Sequence, residues 1–408
     1  MPLPSSASSR LTPALNRILF LLALSVFINY IDRSNLSLAA PMLKSELGLS
    51  PAQLGILLSA FFWTYATTPL LSGWLVDRFE VKWILAGGFF LWTSATIVTG
   101  LLHTFIALLA ARIVLGIGES VAYPSYSKIM GSHFAESNRG TANSAISVGQ
   151  ALGPMVGLLF GAPVIGFFGW RVFFLGLGLL SLLWLIPWFA WMPPTPRLSD
   201  GPEKVSILAI AKQRSALGTC LTLFCMNYYS YFMLTWLPYY LLEERHFSLS
   251  RMSRVAASMF LCAAMASAIF GRLSDRWIAQ GGTPTRVRKG VMAISTAFTG
   301  VMVAGAAFTP DLVATVLLLL AGAGFGTTSS NTWAITQRLA GPRAAGRWTG
   351  LQLFVGNLAG VVAPALTGFI VERTGHFYGP FLVVAVISWI GSLAWIYAVG
   401  PVEPVSWQ

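Results

Sequence analysis

Apolar residues run through this chain in long blocks broken by short polar stretches. Twelve blocks can be marked, over 17–40, 52–76, 83–101, 104–128, 141–163, 170–192, 216–242, 253–274, 289–308, 312–337, 346–370 and 379–400. They match the roughly 20 residues that a helix needs to cross the hydrocarbon core of a bilayer. The longest polar interruption, Pro193 to Arg214, opens on Pro193-Pro194-Thr195-Pro196 and leaves six blocks on either side. The pattern predicts an all-α polytopic membrane protein with 12 transmembrane helices in two pseudo-symmetric six-helix bundles. The bundles are expected over 17–192 and 216–400, joined by a cytoplasmic linker over 193–215. A Ser/Pro-rich arm over 1–16, expected to be disordered, precedes them, and a tail over 401–408 follows. A cleaved signal peptide fits the first block poorly, because the run continues through Asp32 and no clean A-x-A site follows.

The halves repeat one another. Asn29-Tyr30 recurs as Asn227-Tyr228, 198 residues later, and Gly73-Trp-Leu-Val-Asp77-Arg78 recurs as Gly271-Arg-Leu-Ser-Asp275-Arg276 at the same offset. Leu49-Ser50 returns as Leu249-Ser250, and Val148-Gly149-Gln150-Ala-Leu-Gly153 resembles Val355-Gly356-Asn357-Leu-Ala-Gly360. Four matches in one order point to a duplicated six-helix unit, and such repeats place a binding site at their interface near mid-bilayer.

Composition agrees: 55% of residues are hydrophobic and 10% charged, where a soluble domain carries about a quarter. The net charge of +12 lies in short loops and forms no aromatic-interleaved basic patch, so no nucleic-acid partner is expected. Basic residues favour alternate loops, with Arg78 and Lys82, Lys128 and Arg139, and Arg338, Arg343 and Arg347 on one side. That bias puts both termini in the cytoplasm. Cys220, Cys225 and Cys262 lie in apolar blocks, and the four histidines are far apart, so neither a disulfide framework nor a metal site is expected.

Against this background four charges stand out. Asp32, Arg33, Arg112 and Glu119 fall well inside blocks, all in the first half. A charge at the bilayer centre costs about 2.5–3.5 kcal/mol on insertion scales, and chains carry it mainly along a substrate or ion path. Arg112 and Glu119, seven apart, share a helix face at about 10 Å, with Gly116 between them opening space. The alternative is a structural salt bridge between the first and fourth spans. Further polar groups lie in apolar surroundings: Tyr30 on the Arg33 face, Tyr65, Gln150, Trp333, Thr336 and Asn357. They either line a site or hold helices together. Gly73, Asp77 and Arg78, with their copies Gly271, Asp275 and Arg276, sit at cytoplasmic span ends and read as gating or interdomain salt-bridge elements.

With these residues in view the chain resembles the major facilitator superfamily, and within it the anion:cation symporter branch. The Gly73–Arg78 loop resembles the superfamily signature. The narrower match rests on Asn29-Tyr30-Ile31-Asp32-Arg33-Ser-Asn-Leu, on Arg112-Ile-Val-Leu-Gly-Ile-Gly-Glu119-Ser-Val-Ala-Tyr-Pro124 and on Gly356-Asn357-Leu-Ala-Gly360. Glu80 departs from the signature, which usually has glycine there. The resemblance implies proton-driven import of organic anions such as hexuronates, galactonate and glucarate. It implies Asp32 and Glu119 as proton carriers, Arg112 as the partner of Glu119, and Arg33 as the holder of the substrate carboxylate. Tyr30, Tyr65, Gln150 and Asn357 would contact substrate hydroxyls.

The expected function is therefore secondary active transport, with a small organic anion as substrate, protons as coupling ion and no cofactor. The expected place is the inner or plasma membrane, and the expected working unit a monomer. An organic-anion exchanger or facilitator, for dicarboxylates or aromatic acids, could use the same site without protons. A membrane enzyme or sensor lacks the clustered catalytic residues or the soluble output domain it would need.

Overall fold

The computed structural model describes residues 12–134, 136–195 and 205–407, without the side chains of 70, 77, 136–141, 144, 330, 342 and 343. Most of the expected N-terminal arm and the middle of the linker lie outside the described residues. Span one is the helix Pro13–Leu47, capped by Thr12 and ended by Gly48, whose φ of 61° is left-handed. It begins inside the stretch assigned to the arm. Span two is two helices, Pro51–Thr67 and Pro69–Arg78, because Pro69 cannot donate to the ladder. Span three is Val81–Thr99 and span four Phe105–His133.

Spans five and six form one long helix, Glu136–Leu182, that turns at Gly169, followed by the short helix Leu185–Trp191. Gly169 has φ 80°, open to glycine at no steric cost. Gly341, with φ 63°, turns the helix Asp311–Thr374 in the same way and so separates spans ten and eleven. Span seven is Arg214–Tyr239, span eight Leu249–Ala279, span nine Pro284–Phe308 and span twelve Tyr378–Ala398. Among the described residues nine stretches are long and apolar enough to cross a membrane, one of them containing both spans five and six. Span two is split by its proline, and span seven is rich in tyrosine and threonine. These, with the turn at Gly169, bring nine to twelve.

The duplication survives with one adjustment. Span two starts on Ser50, which accepts from the Gln53 amide, and span eight on Ser248, which accepts from the Arg251 amide. Ser248, not Ser250, is thus the copy of Ser50, and the offset is again 198.

Glycines let the helices pack closely. A Cβ on Gly153 would stand 2.8 Å from Phe27 O of span one, and one on Gly356 2.7 Å from the Leu223 side chain of span seven. Plain packing therefore accounts for these motifs. Gly116 behaves likewise: its Cβ would meet Phe61 O and Thr64 Oγ1, both at 2.3 Å. It seats span two against span four and opens no space between Arg112 and Glu119, a correction to the sequence reading. Gly116→Val should cost about 1–3 kcal/mol or more by overpacking. A melting temperature unchanged to within a degree would dismiss this packing role.

The halves meet firmly at the end of the bundle away from the termini. There Gly55 and Gly368 lie against each other's helix backbone. Glu372 Oε2 of span eleven accepts from Ser50 Oγ (2.6 Å) and Ala52 N (2.8 Å) of span two. Lys44 Nζ donates to the Tyr239 hydroxyl at 2.6 Å.

Candidate transport site

Span one carries the centre of the site. Neighbouring residues on a helix point about 100° apart, so Asp32 and Arg33 leave the same turn in different directions. Arg33 turns toward spans two and four. Its Nε donates to Glu119 Oε2 at 2.9 Å, with side chains 3% and 0% exposed. Its guanidinium lies 4.5 Å from the Tyr30 ring centre and 4.2 Å from that of Tyr65, a planar cation stacked between two aromatic faces. Asp32 turns toward span three. Its Oδ1 accepts from Thr96 Oγ1 at 3.1 Å and from Asn35 Nδ2 at 3.3 Å.

Arg112 does not take Glu119, contrary to expectation. It lies 5.2 Å from the Phe61 ring centre, and its Nε has no hydrogen-bond partner among the described residues. Arg112 and Glu119 lie two turns apart along one helix face, about 10 Å, whereas span one brings Arg33 Nε to 2.9 Å from Glu119. The interhelical bridge is therefore Arg33–Glu119. Several buried atoms around it have no hydrogen-bond partner in the structure: Asp32 Oδ2, Arg33 Nη2, Glu119 Oε1 and both side-chain polar atoms of Asn29. Buried polar atoms are normally satisfied, so each unpaired one calls for an explanation.

The polar residues sort into two groups. Tyr30 joins Gln150 through Tyr123, whose hydroxyl lies 3.3 Å from the Tyr30 hydroxyl and 3.2 Å from Gln150 Oε1. Asn357 Oδ1 accepts from the Tyr231 hydroxyl at 2.7 Å, and the Tyr231 ring lies 4.3 Å from that of Phe62. Asn357 of the second half is thus bonded to a ring that packs on Phe62 of the first. Thr336 does not belong here. It is fully buried and donates to Gln352 Oε1 at 2.7 Å, while Gln352 Nε2 donates to Thr219 O at 3.2 Å. These bonds tie spans seven, ten and eleven together. Trp333 is half-buried on span ten, one turn before Thr336. Thr336→Val should cost about 1 kcal/mol of stability and leave ligand affinity within about twofold; a tenfold weaker thermal-shift response to ligand would return Thr336 to the site.

Tyr231, Tyr123, Thr96 and Phe62 escaped the sequence reading. One signal for Tyr231 was present: it lies 198 residues after Arg33, at the repeat position.

The gating residues lie at the terminus-side ends of spans two and eight. Arg78 lies 5.6 Å over the Trp74 ring, and a Cβ on Gly73 would meet nothing within 4 Å. The Asp77 side chain lies outside the described residues. Asp275 Oδ1 accepts from Arg288 Nη2 at 2.8 Å, and Arg288 also donates to Asn331 Oδ1 at 3.0 Å. Asp275 therefore bridges spans eight and nine inside one half, which corrects the interdomain reading for this copy. Gly271 and Arg276 share its helix.

Residues 22–364 match the model of the Major Facilitator Superfamily. The chain belongs to this superfamily. It is 32% identical to the hexuronate transporter of Bacillus subtilis, over 94% of each chain. It is 30% identical to a probable sulfoacetate transporter of Cupriavidus necator, over 93% of each, and 28% identical to a D-galactonate transporter of Escherichia coli, over 95% of this chain and 96% of that one. The fold matches a crystal structure of a bacterial homolog of the human lysosomal transporter Spinster, in an inward-facing and occupied conformation. The TM-score is 0.81 at 19% identity, covering 95% of this chain and 97% of that one. A D-xylose-proton symporter matches with TM-score 0.79 at 15% identity, over 95% and 98%. Superfamily membership makes the protein a multi-pass membrane transporter and not an enzyme.

Proposed function

We propose that the protein imports a small organic anion with protons, by alternating access between its two halves, and that the anion is a sugar acid such as a hexuronate, aldonate or aldarate. The observation that carries this reading is the buried Arg33–Glu119 pair. Arg33 is a permanent cation, and the group that occupies it is an acid that can be neutralised by one proton. Protonated Glu119 releases Arg33, which then takes a substrate carboxylate in bidentate fashion. Once the proton leaves, Glu119 recaptures Arg33 and displaces the anion. Proton and substrate thus favour the same loaded state, which is the thermodynamic content of symport.

The remaining groups suit a hydroxylated carboxylate. Tyr30 and Tyr65 lie against Arg33, Gln150 joins Tyr30 through Tyr123 and Asn357 bonds Tyr231, phenol and amide groups that can meet hydroxyls. The names of the relatives, transporters of hexuronate, D-galactonate and sulfoacetate, all denote small anions. Asp32 is the second proton carrier, and Arg112 the second cation that keeps the ionised cluster neutral. In the cell the protein works as a monomer in the plasma membrane, with both termini in the cytoplasm.

The test is D-glucuronate uptake into proteoliposomes that are alkaline inside. Wild-type protein should accumulate the sugar acid above its external concentration. Asp32→Asn should still exchange labelled for unlabelled D-glucuronate but lose accumulation at least tenfold. Wild-type uptake that ignores the pH gradient would favour an exchanger or facilitator.

A further inference from the structure

Lys44 shares the face of span one that carries Arg33, and the mechanism above gives it no task. The two lie eleven residues apart on the helix Pro13–Leu47, which runs through Pro41 unbroken. Eleven residues are three turns plus about 20°, so Lys44 stands over Arg33 about 16 Å toward the end of the bundle away from the termini. That end is closed in this structure, and Lys44 belongs to the closure. It is half-buried, and its Nζ donates across the halves to the Tyr239 hydroxyl of span seven at 2.6 Å.

Buried charges are normally paired with an opposite charge. The partner of Lys44 is a neutral phenol, and among the described residues no carboxylate pairs with it. Glu46, two residues on, is taken by its own half: Oε1 accepts from Arg171 Nη2 at 2.6 Å and Oε2 from Trp170 Nε1 at 2.8 Å. Glu243 and Glu244 face Tyr239 from the turn after span seven, and Glu244 Oε1 lies 3.4 Å from His376 Nδ1. The repeat copy of Lys44 is Leu242, so the second half carries no matching cation.

We propose that Lys44 is an entrance site for the carboxylate of the transported anion, formed only when the halves part at this end. The inference rests on the sugar-acid reading above and not on proton coupling. Alternating access opens this end by separating the halves. Opening breaks the bond to Tyr239 and leaves an ammonium in the mouth of a cleft with low-dielectric walls. Such a charge draws anions in and speeds their entry, with a steep dependence on ionic strength. Lysine suits the task, because a compact hydrated point charge holds a carboxylate without the two-pronged geometry of arginine. The anion is therefore passed on toward Arg33 and not retained. Anion and Tyr239 compete for one ammonium, so an anion at the entrance favours the open state. Its departure toward Arg33 frees Lys44 to close behind it.

The test uses full-length wild type, Lys44→Met, Lys44→Gln, Lys44→Arg and Tyr239→Phe in proteoliposomes, with D-glucuronate as probe. Counterflow at equal pH on both sides is measured against external D-glucuronate concentration, at low and at high salt. Lys44→Met removes the charge and the bond, whereas Lys44→Gln removes the charge and keeps a donor for Tyr239. Both should raise the external KM about fivefold or more, keep the maximal rate within about threefold, and lose most of the salt dependence of uptake at low substrate. Lys44→Arg keeps the charge, and its KM should stay within about twofold of wild type. Tyr239→Phe removes the closing bond and keeps the ammonium, so its KM should be no higher than that of wild type and its salt dependence intact. Wild-type KM and salt dependence in Lys44→Gln would overturn the entrance site. So would equal changes in Lys44→Met and Tyr239→Phe, which mark a lock between the halves and nothing more. If wild type itself moves no D-glucuronate, the sugar-acid reading fails and takes the entrance site with it, an outcome distinct from the other two.

Discussion

Replacing Arg33 by alanine is expected to abolish accumulation of a sugar acid and to destabilise the protein together. Arg33 is the cation stacked between Tyr30 and Tyr65, and it is bonded to Glu119 in the interior. Removing one partner of a buried ion pair leaves the other charge uncompensated, a loss of about 3–5 kcal/mol. Losing a charge-assisted grip on a carboxylate in a desolvated site weakens binding by a similar amount, roughly a hundredfold or more. The two effects separate in the double variant Arg33→Ala, Glu119→Gln. Neutralising the acid should recover most of the melting temperature lost by Arg33→Ala, while uptake stays at background. Arg33→Lys should also fail to transport, because an ammonium keeps the charge but neither the planar stack nor the two-pronged grip. A lysine variant with near-native uptake would remove bidentate recognition from the mechanism.

Glu119→Gln is expected to separate binding from coupling. The amide has the shape of the protonated acid and cannot titrate. In wild type, ionised Glu119 competes with the substrate for Arg33, so D-glucuronate binding should weaken as pH rises. In the variant that competition is absent, and binding should be flat across the same range. At pH 8 its affinity should exceed that of wild type by about tenfold. Counterflow should survive, and accumulation driven by a pH gradient should fall to background. Isothermal titration at several pH values, alongside uptake, reads both effects. A variant whose affinity falls with pH as steeply as wild type would show that Glu119 is not the competing acid.

Much of the architecture was legible because a bilayer imposes a simple rule. Every spanning backbone group must be bonded internally, so apolar blocks of about 20 residues become helices whatever their neighbours. The turns at Gly169 and Gly341 fall between predicted blocks. The duplication was visible because one offset of 198 survives between Asn29-Tyr30 and Asn227-Tyr228 and between Asp77-Arg78 and Asp275-Arg276. The four buried charges could be picked out because charge at that depth is expensive.

The chain by itself therefore determined the class, the span count, the repeat and the identity of the charged residues. Which charge meets which was decided only in three dimensions. Arg112 and Glu119 share a motif and a helix face, yet Glu119 bonds Arg33, which the packing of span one on span four brings to it. Thr336 and Asn357 looked alike as polar residues in apolar spans. Packing sent one into the seam with Gln352 and brought the other to Tyr231 at the meeting of the halves. A residue's distance along one helix follows from the sequence, whereas contacts between helices depend on rotations and crossings set by the whole bundle.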